Sequence, residues 1–169
     1  DYLVGDAVVT PFADAADYTE TIVQLPVCYQ PNDRQRPVAA PEDRAALGLP
    51  DDSIVFCSFN NLFKFNPEVV EAIGQILSRI TGSVLWLQAR EAGDPAIANL
   101  RREFAARGIA AERVIAAGWR PNDRYLALYH HADVFLDTWP YGAHTTASDA
   151  LWAGCPVLTC PGETFASRV

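Results

Sequence analysis

Residues 136–154, LDTWPYGAHTTASDALWAG, decide how this chain folds. Val134, Phe135 and Leu136 form an apolar run that ends at Asp137, and Trp139-Pro140-Tyr141-Gly142 then breaks any regular structure. From Thr145 the spacing turns helical. Ala147, Ala150 and Leu151 fall on one face, His144 or Thr145 can cap the start, and Gly154 ends the helix ahead of Pro156. A buried strand thus runs through a loop into a short helix. Free N–H groups and the positive end of the helix dipole favour an anion there, and Thr145 and Thr146 add hydroxyl donors. A diphosphate fits such a start. Asp149, four residues after Thr145 on the same side of the first turn, is placed to accept hydrogen bonds from ribose hydroxyls. The threonines equally suit plain capping.

Working outward, strand-like runs at Ile54–Phe59, Val84–Gln88, Arg113–Ala117, Val134–Asp137 and Val157–Cys160 alternate with helical stretches at Pro67–Arg79, Pro95–Arg107, Asp123–His131 and Thr145–Ala153. This alternation predicts an α/β fold, a Rossmann-like parallel sheet with right-handed crossovers and helices on both faces. Ligands of such sheets bind beyond the carboxyl ends of the strands, where strand order switches. The loops to search are Asn60-Asn61-Leu62-Phe63-Lys64, Gly118-Trp119-Arg120-Pro121 and the opening stretch itself. Upstream, Asp1–Thr10 reads as a strand, Ala15–Leu25 as helix-compatible, Gln30–Pro41 as a proline-bearing linker and Glu42–Leu47 as a small helix.

The chain has 169 residues, half of them hydrophobic, enough to bury one sizeable core. Its net charge of -8 argues against nucleic acid or an anionic membrane as partner, so an anionic ligand must be held locally. No stretch is long enough to span a bilayer. Cys28, Cys57, Cys155 and Cys160 form no CxxC pair, and Cys57 and Cys160 sit in strand-like runs; buried free thiols and a cytoplasmic setting are expected. Lys64 is the only lysine, which sets it apart from a routine surface cation. Trp86 and Trp152 lie in apolar patterns and read as core, and His130 and His131 suit a helix C-terminus.

FNNLFK at 59–64, SVLWLQA at 83–89, ADVFLDT at 132–138, HTTASDALWAG at 144–154 and PGETFASRV at 161–169 together resemble the O-GlcNAc transferase family, in particular the C-terminal catalytic lobe of a bacterial member. The resemblance covers nearly the whole chain. It implies a two-lobed GT-B glycosyltransferase that moves N-acetylglucosamine from UDP-GlcNAc to Ser or Thr of an acceptor protein, with inversion and without a metal or other cofactor. Residues 1–36 would be the end of the N-terminal lobe and the linker, and 37–169 a truncated C-terminal nucleotide-sugar-binding lobe; the TPR repeats that usually precede it would lie outside.

The same resemblance gives Lys64 the catalytic role of holding the diphosphate and stabilising departing UDP, with Asn61 beside it. His144, Thr145 and Thr146 would contact the phosphates and Asp149 the ribose. Arg120 falls where the family reads uracil through backbone atoms, and Tyr125 takes the place of a histidine that stacks on uracil. Asn122 stands where a lysine is expected, and Tyr141 departs from the family where the N-acetyl group packs, so UDP is a firmer expectation than GlcNAc. No DxD cluster occurs near the strand ends. The general base is expected in the other lobe, so this stretch alone should bind without turnover. An unpartnered edge at Asp1–Thr10 favours self-association. The alternatives are a non-catalytic nucleotide-sugar-binding or interaction module, or a transferase using another UDP-hexose.

Overall fold

The computed structural model describes residues 1–89 and 93–169. β1 (Tyr2–Asp6) and β2 (Thr21–Leu25) form a two-stranded parallel sheet, with Tyr2 opposite Thr21 and Asp6 opposite Leu25. The stretch 15–25 is therefore not a helix. A 3-10 turn over Phe12–Asp17 gives way to a strand, because Thr21-Ile22-Val23 is β-branched and alternates between more and less exposed positions. Asp6 fixes the corner: its carboxylate accepts from the backbone N–H groups of Val8 (2.9 Å), Val9 (3.0 Å) and Tyr29 (2.9 Å). Burial would raise its pKa, and these three donors outweigh that and hold it below the usual value. The small helix expected at 42–47 is a 3-10 turn over Ala45–Leu47, closed by left-handed Gly48 at φ 70°.

The main sheet contains β3 (Val55–Ser58), β4 (Val84–Gln88), β5 (Val114–Ala117), β6 (Val134–Leu136) and β7 (Val157–Leu158), all parallel, in the order β5-β4-β3-β6-β7. The last strand is shorter than Val157–Cys160, which leaves Cys160 exposed rather than buried. Alternate side chains divide the core between two faces. Phe56, Leu85, Leu87 and Leu136 pack against α1 (Pro67–Arg79) and α2 (Pro95–Ala105). Cys57, Phe59, Trp86 and Phe135 pack against α3 (Asn122–Leu128) and α4 (Thr145–Trp152).

The helix starts follow sequence rules. Asn66 accepts from Val69 N at 2.9 Å and Asp94 from Ala96 N at 2.9 Å, each followed by proline at the first helical position. Arg113 binds the carbonyls of Leu77, Ile80 and Ser83, clamping the end of α1 to β5. A short α5 (Phe165–Arg168) closes the chain. Among the described residues no helix is long and apolar enough to cross a membrane. From β3 the chain moves outward to β4 and β5, then returns to the other side of β3 as β6, so strand order switches between β3 and β6.

Candidate functional site at the β3–β6 switch point

The ends of β3 and β6 are joined by a buried polar tie. Asn60 donates from Nδ2 to Asp137 Oδ1 (2.9 Å) and Thr138 Oγ1 (2.9 Å), and its Oδ1 accepts from Thr146 Oγ1 (2.6 Å). Asp137 also accepts from the N–H groups of Thr138 (2.7 Å) and Ala143 (2.7 Å) at Oδ1, and from Thr159 Oγ1 (2.7 Å) at Oδ2. One carboxylate thus shapes the whole loop over 137–143, which contains a cis Trp139–Pro140 bond. The loop passes close to its neighbours at Gly142, where a Cβ would meet Asp137 Oδ2 at 3.2 Å and the Ala166 carbonyl at 3.4 Å.

Lys64 ends a 3-10 turn over Leu62–Lys64 and reaches across to the loop. Its Nζ donates to the Gly142 carbonyl at 2.7 Å and lies 3.9 Å from the centre of the Tyr141 ring. Burial lowers its pKa from the ordinary lysine value, opposed by the nearby Asp137 carboxylate. The cation is therefore held at the loop, beside the start of α4. His144 sits at that start with its ring edge-on to Tyr141, at 5.4 Å between centroids, and Nε2 3.4 Å from the Ala166 carbonyl. Burial lowers its pKa, the bond to Ala166 opposes that, and the Lys64 charge lowers it further.

Thr145 is exposed at the helix start, where its Oγ1 accepts a 3.4 Å bond from Gln30, while Thr146 turns inward to Asn60. Asp149, one turn on, is only 4% exposed and is ion-paired with Arg36 of the linker. Lys64, His144, Thr145, Thr146 and Asp149 therefore line the junction of the β3 loop, the β6 loop and α4. An open cleft of about 810 Å³ adjoins it, bounded by Asn60, Asn61, Gln88, Ala89, Trp119 and Thr146. Asn61 is exposed on this cleft.

The side chains of two further expected residues are engaged within the chain. The Arg120 side chain pairs with Glu42 at 2.9 Å. Tyr125 is 8% exposed, its ring packed on Phe59 and its hydroxyl 2.7 Å from that of Tyr129. Burial raises the Tyr125 pKa well above the ordinary tyrosine value, and its ring is largely covered. Trp152, expected in the core, is 42% exposed and carries the Arg36 guanidinium 5.5 Å above its ring. Trp86 is fully buried as expected. Asn60, Asp137 as a loop organiser and Arg36 were not singled out by sequence; only Asn60 had a signal, its place at the very end of the apolar strand.

Comparison with known proteins agrees with this architecture. Residues 32–169 match the model of glycosyl transferase family 41. An Arabidopsis thaliana protein described as a probable UDP-N-acetylglucosamine–peptide N-acetylglucosaminyltransferase SEC is 38% identical over 100% of this chain and 18% of its own length. The UDP-N-acetylglucosamine–peptide N-acetylglucosaminyltransferase of Caenorhabditis elegans is 37% identical over 75% of this chain and 11% of its own. The chain thus spans under a fifth of these relatives. A mutant of the O-GlcNAc transferase of Thermobaculum terrenum superposes with a TM-score of 0.84 at 37% identity, covering 99% of this chain and 31% of that one. Sucrose-phosphate synthase from Thermosynechococcus elongatus, at 17% identity and a TM-score of 0.61, shares the fold. With the family model covering residues 32–169, which include the switch point and both site loops, this chain belongs to glycosyl transferase family 41, as the O-GlcNAc transferase motifs of its sequence imply.

Proposed function

We propose that this chain is the donor-binding lobe of an inverting, metal-independent glycosyltransferase that moves GlcNAc from UDP-GlcNAc to Ser or Thr of an acceptor protein. The observation that carries this reading is the placement of Lys64 Nζ, 2.7 Å from the Gly142 carbonyl, beside the hydroxyl-bearing start of α4. In the reaction the acceptor oxygen attacks the anomeric carbon while the bond from that carbon to the β-phosphate oxygen breaks, and UDP departs with the electron pair. Lys64, the α4 N–H groups and the Thr145 hydroxyl take up the charge that builds on the diphosphate. Such fixed donors stabilise developing charge most strongly where water is excluded. Asp149 accepts from the ribose, and uracil lies toward Trp119 in the cleft of about 810 Å³, next to the Arg120 backbone. The acceptor proton leaves to a base in the other lobe.

Transfer from labelled UDP-GlcNAc to protein by the full-length enzyme tests this reading. Lys64→Ala removes one preorganised donor, worth about 3–4 kcal/mol, so the rate should fall at least 100-fold. Unchanged transfer by Lys64→Ala would remove Lys64 from the mechanism. A full-length protein that binds UDP without any transfer would make the lobe a sensing module instead.

A further inference from the structure

The linker does more than connect. On α4, residues 145, 149 and 152 share one face by helical spacing, and each touches the segment 30–36. Gln30 Nε2 donates to Thr145 Oγ1 at 3.4 Å, Arg36 Nη1 pairs with Asp149 Oδ1, and Trp152 Nε1 donates to the Arg36 carbonyl at 3.2 Å. Arg36 is thereby held at its main chain by the Trp152 indole and at its guanidinium by both the Asp149 carboxylate and the Trp152 ring. Both charged side chains are largely removed from water, at 16% and 6% exposure.

This pair is incompletely used. Arg36 Nε is buried and meets no acceptor among the described residues, and of the Asp149 carboxylate only Oδ1 is bonded among them. A buried guanidinium N–H without a partner is costly and points to an acceptor supplied from outside. One spare donor and one spare acceptor on a contacting pair match a vicinal diol, whose hydroxyls both accept and donate.

We infer that Arg36 is a positioning residue for the ribose subsite. It orients the Asp149 carboxylate through one oxygen, leaves the other for a ribose hydroxyl, and sets the linker against α4 so that the subsite is closed on that side. This rests on the proposed reading that the cleft takes a uridine diphosphate. Without Arg36 nothing would fix the direction of the Asp149 carboxylate, so Arg36 acts on nucleotide affinity through Asp149.

The test is calorimetric titration of the full-length protein with UDP, 2′,3′-dideoxy-UDP and inorganic pyrophosphate. In the natural protein UDP should bind more tightly than the dideoxy analogue. Arg36→Met should weaken UDP about tenfold, or about 1.4 kcal/mol, and leave the dideoxy analogue and pyrophosphate within about threefold. On an Asp149→Asn background the same change should add no further loss. Equal weakening of all three ligands would mean a merely structural role, tighter UDP binding would make Arg36 an obstructing latch, and an unchanged preference for UDP would leave Arg36 without any part. Each of these overturns the inference. If Arg36→Met fails to fold, Arg36→Lys, which keeps the charge and loses the Nε donor, is read by the same three-ligand pattern. A natural protein that does not bind UDP at all would instead defeat the proposed function, so the two failures are distinguishable.

Discussion

Asn60 and Asn61 are chemically identical neighbours with opposite structural roles, and replacing each by alanine isolates what the polar tie contributes. Asn60 is almost fully buried and makes three hydrogen bonds, one of them to the Asp137 carboxylate. A neutral bond contributes about 0.5–1.5 kcal/mol and one to a charged group about 1.5–3, so two of the first kind and one of the second give about 2.5–6 kcal/mol. Asn60→Ala also strands the Thr146 hydroxyl away from its acceptor, which keeps the loss near the upper end. Against a total stability of about 5–15 kcal/mol this is a large fraction. The Asn61 side chain is exposed and bonds to nothing among the described residues, so Asn61→Ala should stay within about 0.5 kcal/mol. Urea unfolding of the two variants in parallel gives the comparison, with a lower midpoint and unchanged slope expected for Asn60→Ala. A loss under about 1 kcal/mol at Asn60, or an equal loss at Asn61, would refute the account of how the β3 and β6 ends are held.

Arg113→Ala removes the guanidinium that gathers the carbonyls at the end of α1 and should cost about 3 kcal/mol in the same urea assay. Burial lowers the His144 pKa below 6.5, so folding favours its neutral ring. The unfolded chain then takes up the proton first, and the His144 contribution is present above pH 6.5 and lost as pH falls from there through the lowered folded value. His144→Gln should therefore lose less stability than the natural protein between about pH 7 and 5, and a larger loss would reverse the assignment. Cys28 and Cys160 are exposed whereas Cys57 and Cys155 are buried, with burial raising the Cys57 pKa. A thiol reagent should label two cysteines at once in the native protein and all four only after unfolding; four rapid reactions would contradict the packing of α4 on β3.

Much of the sheet was legible because its strands are short apolar runs punctuated by turn residues, and its helices begin at capping residues such as Asn66 and Asp94. Local signals failed where a partner distant in sequence decides the outcome. The segment 15–25 has helix-compatible residues, yet Thr21–Leu25 is a strand because Tyr2–Asp6 offers an edge to pair with. Trp152 follows an apolar helix pattern, yet it faces the linker because Arg36 covers that side of α4. At the candidate site, Lys64 stood out as the sole lysine and the threonines by the helix start. Asn60 did not stand apart from Asn61, since choosing between adjacent amides requires knowing which one faces Asp137 across 77 residues of sequence. Arg36 looked like any arginine in a polar linker until α4 was folded against it.

The central position of β3 has a consequence for how the chain emerges from the ribosome. Phe56 pairs with Val134 and Cys57 with Phe135, each 78 residues downstream. The half built from β3, α1, β4, α2 and β5 can assemble from nearby pieces, whereas the other edge of β3 waits for β6 to be made. At about 5–20 residues per second that wait lasts roughly 4–16 s. For that interval the free edge of β3 keeps open backbone groups, and Val55 and Cys57 lack the cover of α3 and α4, a surface suited to chaperone capture or to pairing with a neighbouring nascent chain. The strand-order reversal that creates the candidate nucleotide cleft is thus also the step that leaves the young chain longest without cover.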